Sequence, residues 1–150
     1  MSFKNMMVAP HYLATKTGAD ILKEGGNAVE AIIAAAATIS VVYPHMNSMG
    51  GDNFWLISDK NKKVTAIDAC GNAAKYASIE FYNKKGLNQI PSRGALSALT
   101  VPGAVSGWKL AHDFSIKNLG GKLPLSRLLY DAEQLSKNGV AVTNTLKNNL

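Results

Sequence analysis

The sequence is poor in the residues that most often signal a compartment or a ready-made site. It has one cysteine, Cys70, which excludes an internal disulfide framework and suits a reducing compartment. Charged residues make up only 17% against 47% hydrophobic, a low charge density that suits a piece whose faces are covered by more chain. There is no Gly-x-Gly-x-x-Gly, and no Lys-Ser or Lys-Thr follows a glycine run, which excludes the dinucleotide and phosphate-loop fingerprints. No histidine or carboxylate stands at ligand spacing from His112, so neither a metal site nor a cofactor is expected. The N-terminus, MSFKNMMVAPHYLAT, lacks an apolar stretch of secretory length. The longest apolar run, residues 28–42, is about 15 residues, short of the roughly 20 that span a bilayer. No membrane association and a cytoplasmic location are expected.

The formal charge of +6 and pI near 9.5 would by sign alone favour nucleic acid. Its distribution argues against that. The fourteen lysines are scattered singly or paired at Lys62-Lys63 and Lys84-Lys85, and no basic cluster is interleaved with aromatics.

What is present is organised around residues 24–54, EGGNAVEAIIAAAATISVVYPHMNSMGGDNF. Between Ala28 and Val42 only Glu30, Thr38 and Ser40 are polar, so this helix should be buried on most sides, with other elements wrapped around it. Gly25 supplies a left-handed stop for the preceding helix. Asn27 with Glu30 forms a capping box: the Asn oxygen accepts from the Glu30 amide while the Glu30 carboxylate reaches back to the Asn27 amide. The alanines at 34–37 permit close approach of a neighbour. Tyr43-Pro44 ends the helix, because a residue before proline is pushed out of the helical region.

Around this core the chain reads as alternating helices with a central antiparallel hairpin. Residues 6–9 suggest an opening strand ended by Pro10, and residues 13–23 a helix with Thr15 as its N-cap. FWLIS at 54–58 and VTAIDA at 64–69 flank a DKNKK turn; the first strand is expected to be buried and the second less covered. A short helix over 76–84 and an irregular surface excursion over 86–98 follow. Residues 104–114 fit a helix with Val105, Trp108 and Ala111 on one side and His112 at its edge or on the surface. Pro124 opens an amphipathic helix to Asn138 with Leu125, Leu128, Leu129, Ala132 and Leu135 as its stripe, Gly139 ends it, and residues 143–150 read as the start of another helix. That unfinished end suggests that residues 1–150 are one incomplete domain segment.

Candidate chemistry is sparse. The loop containing Asn47, Ser48 and Asp52 sets glycine amides, short polar side chains and a carboxylate between a buried helix and a buried strand. Successive exposed amides can hold an anion, although a tight structural turn reads equally well. Cys70 would be a nucleophile only with a base beside it; an inert buried thiol is the simpler reading. His11, beside Pro10, reads as a structural or exposed group. No nucleophile elbow and no paired carboxylates are recognisable, so no catalytic residue is assigned within the segment.

Four motifs nevertheless occur in an order that resembles the N-terminal part of the gamma-glutamyltransferase family: KTGADILKEGGNAVEAIIAAAATISVVYPHMNSMGGDNFWLI, the strand from Val64 running on to residue 77, TVPGAVSGWKLAHDF at 100–114, and GKLPLSRLLYDAEQLSKNGVAV at 121–142. The resemblance implies an α+β, N-terminal-nucleophile hydrolase fold, a four-layer αββα arrangement of which this chain is the N-terminal portion. It implies a self-cleaving precursor whose small subunit begins with the nucleophilic threonine, beyond this segment, so that none of the threonines here fills that role. The implied activity is hydrolysis or acyl transfer from a small gamma-glutamyl or related amide or peptide, such as glutathione. The implied partners are the rest of the large subunit and the small subunit, with homo-oligomerisation left open. One departure stands out. Where the family has the arginine that holds the substrate's carboxylate, followed by glutamate, this sequence has Cys70 and Gly71, then Asn72. These three residues join Asn47, Ser48 and Asp52 as expected substrate-binding positions. A thiol cannot make a guanidinium's bidentate contact, so a differently specific homologue, including a cephalosporin or glutaryl acylase, or a non-catalytic one, is the alternative.

Overall fold

A computed structural model describes residues 4–149. Leu150, the last position of the expected C-terminal helix, lies outside them. The elements run α1 (Tyr12–Lys23), α2 (Ala28–Val42), β1 (Asn53–Ser58), β2 (Val64–Ala69), α3 (Ile79–Lys84), a single 3-10 turn (Ala95–Ser97), α4 (Ala104–Leu119), α5 (Leu125–Asn138) and α6 (Asn144–Lys147).

Helix α2 occupies the centre, packed chiefly between α1 and α5 and touching α4, while α4 lies across both strands. Its composition dictates this. Val29, Ala31, Ile33, Ala34, Ala35, Ala37, Thr38, Ile39 and Val42 are all buried, and Ile32 is the helix's one exposed large hydrophobic side chain. One core joins Ile33, Ala34 and Ala37 to Trp55, Ile57 and Ile67 of the hairpin, Trp108 and Ala111 of α4, and Leu128 and Ala132 of α5. A second links Ala35, Ile39 and Val42 to Ala14 of α1.

The start of α2 is specified three times over. Gly25, at φ +86°, ends the first helix in a conformation that L side chains rarely adopt. The capping box then forms: the Asn27 side chain accepts from Val29 and Glu30 N–H at 3.0 and 3.1 Å, and Glu30 Oε2 accepts from Asn27 N–H at 2.7 Å. Glu30 reaches further. Fully buried, its Oε1 accepts from the Lys122 and Leu123 amides, each at 2.7 Å, and so ties α2 to the α4–α5 connection. Asn27 Nδ2 also donates to Ser115 Oγ of α4 at 2.7 Å. On the outer side Arg127 of α5 bridges Glu24 and Asp131, and the hydrogen bond to Glu24 raises the guanidinium's pKa.

Several local expectations need correction. Residues 5–9 form no strand. The Ala9 amide donates to the Thr15 hydroxyl at 3.1 Å, and Met7 packs against Gly18 of α1. Thr15 is therefore not the N-cap of α1; His11 is, its Nδ1 accepting from Leu13 N–H at 3.2 Å. Strand β1 is buried on one face alone: Trp55 and Ile57 point inward, whereas Phe54 and Leu56 stay 70% and 83% exposed, as strand alternation requires when only one face meets helices. Helix α3 starts at Ile79, capped by Ser78, later than expected. Helix α4 runs on to Leu119, where Gly120 at φ +69° stops it. Its inner face carries Ala104, Gly107, Trp108, Ala111, His112 and Ser115, while Val105 faces out. His112 is thus buried and not at the surface, with Nε2 2.8 Å from the Leu123 carbonyl.

Candidate functional site

The loop after α2 begins where Tyr43 leaves helical geometry and Pro44 blocks its continuation. The Met46 and Asn47 amides both donate to the Tyr43 carbonyl at 3.2 Å, folding residues 44–47 into a tight turn. Ser48 Oγ then accepts from Gly50 N–H at 2.9 Å, and the Ser48 carbonyl from Gly51 N–H at 3.4 Å. These two glycine amides are therefore spent inside the loop and do not form the anion cradle the sequence allowed. The Gly51 carbonyl accepts from Gly103 and Ala104 N–H at 3.0 and 2.8 Å, serving the start of α4, which has no side-chain cap. Asn53 Nδ2 donates to the Ala104 carbonyl at 2.8 Å while its Oδ1 accepts from the Trp55 indole at 3.0 Å. The loop is held by its neighbours on both sides.

A cleft of about 410 Å³ opens between this loop, α2 and α4. Asn47, Ser48 and Asp52 line it, together with Ser40, His45, Asn53 and Trp108. Three of the expected positions are thereby gathered on one wall. Cys70, Gly71 and Asn72 stand beside that wall, joined to it through Asp52. Asp52 Oδ1 accepts from Gly71 N–H at 2.8 Å, and the Cys70 thiol donates to Oδ2 across 3.6 Å. On the other side Asn72 is fixed by its backbone, its carbonyl accepting from Val101 N–H at 2.9 Å, and an antiparallel bridge joins Ala73 to Thr100. Gly71 sits in the pinch: a Cβ there would lie 1.6 Å from the Val101 carbonyl oxygen.

Cys70 is exposed and not buried. The hydrogen bond to Asp52, then the charge of Asp52, with slight desolvation and the charge of Asp68 adding less, push its thiol pKa up. That disfavours the thiolate, the opposite of what a nucleophilic cysteine needs. The Cys70 amide in turn donates to Asp68 Oδ1 at 2.9 Å. A thiol beside two carboxylates can donate weakly to an acceptor but offers an anion no charge.

Sequence reading missed His45. Both ring nitrogens are shielded from solvent and have no hydrogen-bond partner among the described residues, and the ring meets Tyr43 edge-on at 4.2 Å. Its position next to Pro44, ahead of the glycine loop, was the one signal available. Among the described residues no group of three His, Cys, Asp or Glu could hold a metal ion, and no helix is long and apolar enough to cross a membrane.

Residues 14–150 match the family model described as Gamma-glutamyltranspeptidase. The oxamate amidohydrolase proenzyme of Klebsiella pneumoniae is 50% identical over 143 residues, 95% of this chain and 27% of that protein. The glutathione hydrolase-like YwrD proenzyme of Bacillus subtilis is 42% identical over 93% of this chain and 26% of its own length. The chain thus spans about a quarter of the length of these relatives. Among solved structures, gamma-glutamyltranspeptidase from Pseudomonas nitroreducens, complexed with L-DON, superposes with a TM-score of 0.85 at 33% identity, covering 99% of this chain and 43% of that one. The buried helices laid on an antiparallel hairpin are a portion of the αββα N-terminal-nucleophile hydrolase fold, and the chain belongs to the gamma-glutamyltranspeptidase family.

Proposed function

We propose that the protein containing this chain hydrolyses, or transfers the acyl group of, the amide of a short acid rather than a gamma-glutamyl amide. The nucleophile in this reading is an N-terminal threonine freed by self-cleavage of a precursor, beyond this segment. The chain's own share is to position the donor with the loops at 44–53 and 70–72. The rest of the same precursor is its partner.

One observation carries the choice of donor. At the position where the family resemblance leads one to expect a carboxylate-binding arginine stands Cys70, hydrogen-bonded to Asp52 and close enough to Asp68 to feel its charge. An α-carboxylate there would meet like charge in place of a guanidinium's fork. The 50% identity to an oxamate amidohydrolase points the same way, toward a small amide acid with no glutamyl backbone to anchor.

The test uses the complete gene product. Mass analysis should find it cleaved before a threonine. Ammonia release from oxamate should then exceed, in kcat/KM, anilide release from gamma-glutamyl-p-nitroanilide. Faster turnover of the gamma-glutamyl donor by the unaltered protein would refute the proposed donor class. An intact precursor inert toward both donors would favour the second reading of the same Cys70 observation, a homologue without catalysis.

A further inference from the structure

His45 combines three features. It lines the 410 Å³ cleft. Its two ring nitrogens find neither solvent nor a partner among the described residues. Of the described side chains that line the cleft, Asp52 carries a formal negative charge and His45 is the one that can carry a positive charge. A shielded polar group left unpaired is destabilising, and folded proteins leave few such groups without a reason. An imidazole has at least one N–H donor in either protonation state. With a thiol at position 70, it is the one lining side chain that can offer an anion a charge-assisted donor.

Resting on the function proposed above, we propose that His45 is the specificity-determining residue of the cleft. When a short amide acid binds, the ring turns from its unpaired position and donates to the ligand's carboxylate or amide oxygen. A rotamer change of this kind is common where side chains line binding surfaces. Asn47 and Ser48, on the same wall, border the bound acid, and Asp52 keeps the opposite charge on the side toward Cys70. The cleft thereby selects for acids short enough to reach the imidazole without extending to position 70.

The experiment compares the full-length protein with His45→Phe, which keeps a ring and removes both nitrogens, and with His45→Gln, which restores an N–H donor and an acceptor. Oxamate is the probe, in ammonia-release kinetics and in titration calorimetry. His45→Phe should raise KM and the calorimetric Kd by roughly 10- to 100-fold, the loss expected when one hydrogen bond to a charged group is removed. The change in kcat should be much smaller, self-cleavage should persist, and His45→Gln should recover most of the affinity. An unchanged KM and Kd in His45→Phe would overturn the proposal, as would a fall in melting temperature with no affinity change, since that marks a purely structural ring. Wild type that binds oxamate in a His45-dependent way without hydrolysing it would sink the catalytic reading and leave the assignment of His45 standing. Wild type that neither binds nor hydrolyses it would end both.

Discussion

Replacing Glu30 should be among the most damaging single changes to the scaffold, although the residue does not line the cleft. Its carboxylate is fully buried and accepts three backbone N–H groups at 2.7 Å: Asn27 at its own helix start, and Lys122 and Leu123 some ninety residues on. Hydrogen bonds to a charged acceptor contribute about 1.5–3 kcal/mol each, and a shielded donor left unmade costs about 1–3 kcal/mol. Lys122 is itself exposed and Leu123 half-buried. Water can therefore recover part of the loss, which sets Glu30→Ala at about 3–5 kcal/mol instead of the full sum. Glu30→Gln keeps one carbonyl oxygen. Aimed at Lys122 and Leu123, it turns its amide NH2 against the Asn27 N–H, for a loss of about 1–3 kcal/mol. Urea unfolding of the full-length protein gives the free energies, and hydrogen exchange read on the peptide covering 121–124 reports the two amides directly. A Glu30→Ala protein within about 0.5 kcal/mol of wild type, with unchanged protection there, would refute the reasoning.

Other changes test the packing and the wall beside the cleft. Ala35→Leu inserts three heavy atoms at a site that is 4% exposed, and should lower stability by about 1–3 kcal/mol in the same urea assay. Gly71→Ala drives a methyl into the Val101 carbonyl; limited proteolysis should show the 70–74 and 99–103 segments opening together, and an unaltered digestion pattern would contradict the pinch. Since Asp52 holds the Cys70 thiol pKa up, Asp52→Asn should bring it down and increase the thiolate fraction at any pH below it. Iodoacetamide at pH 8 should then label Cys70 faster in the variant, and slower labelling would reverse the assigned hydrogen bond. Cys70→Arg sets a guanidinium beside Asp52 and Asp68, which would pair with it. Gamma-glutamyl-p-nitroanilide turnover should therefore rise little in the single variant and more once Asp52→Asn is added; a full gain from the single change would show that the two aspartates do not compete for it.

What could be read from the sequence divides by the range of the interaction. Helix α2 and its capping box were legible because both are local: fifteen residues with three polar ones, and an Asn and a Glu three apart. The hairpin, Gly25 and Gly139 were legible for the same reason. The errors fall where a distant contact overrides local pattern. Residues 6–9 have the apolar content of a strand, yet the Thr15 hydroxyl takes the Ala9 backbone and α1 takes Met7. Val105 and His112 exchange the faces expected of them, because α4 must lay Gly107 against Asn53 and Ala69 and the α4–α5 connection folds back over His112.

The wall beside the cleft was half legible for a related reason. Composition marked Asn47, Ser48 and Asp52 as a polar loop, and a family pattern marked Cys70, Gly71 and Asn72, but nothing local joins 52 to 71. The junction is made by one carboxylate that bonds the Gly71 amide with one oxygen and the Cys70 thiol with the other. It closes only because Gly71 has no side chain to meet Val101. The glycine loop is no anion cradle because its Gly50 and Gly51 amides serve Ser48, while its Gly51 carbonyl holds the start of α4. With those groups spent on holding the loop, the proposed recognition falls to the side chains that remain on the wall, and of these His45 is the one whose polar atoms are shielded from solvent and have no partner among the described residues.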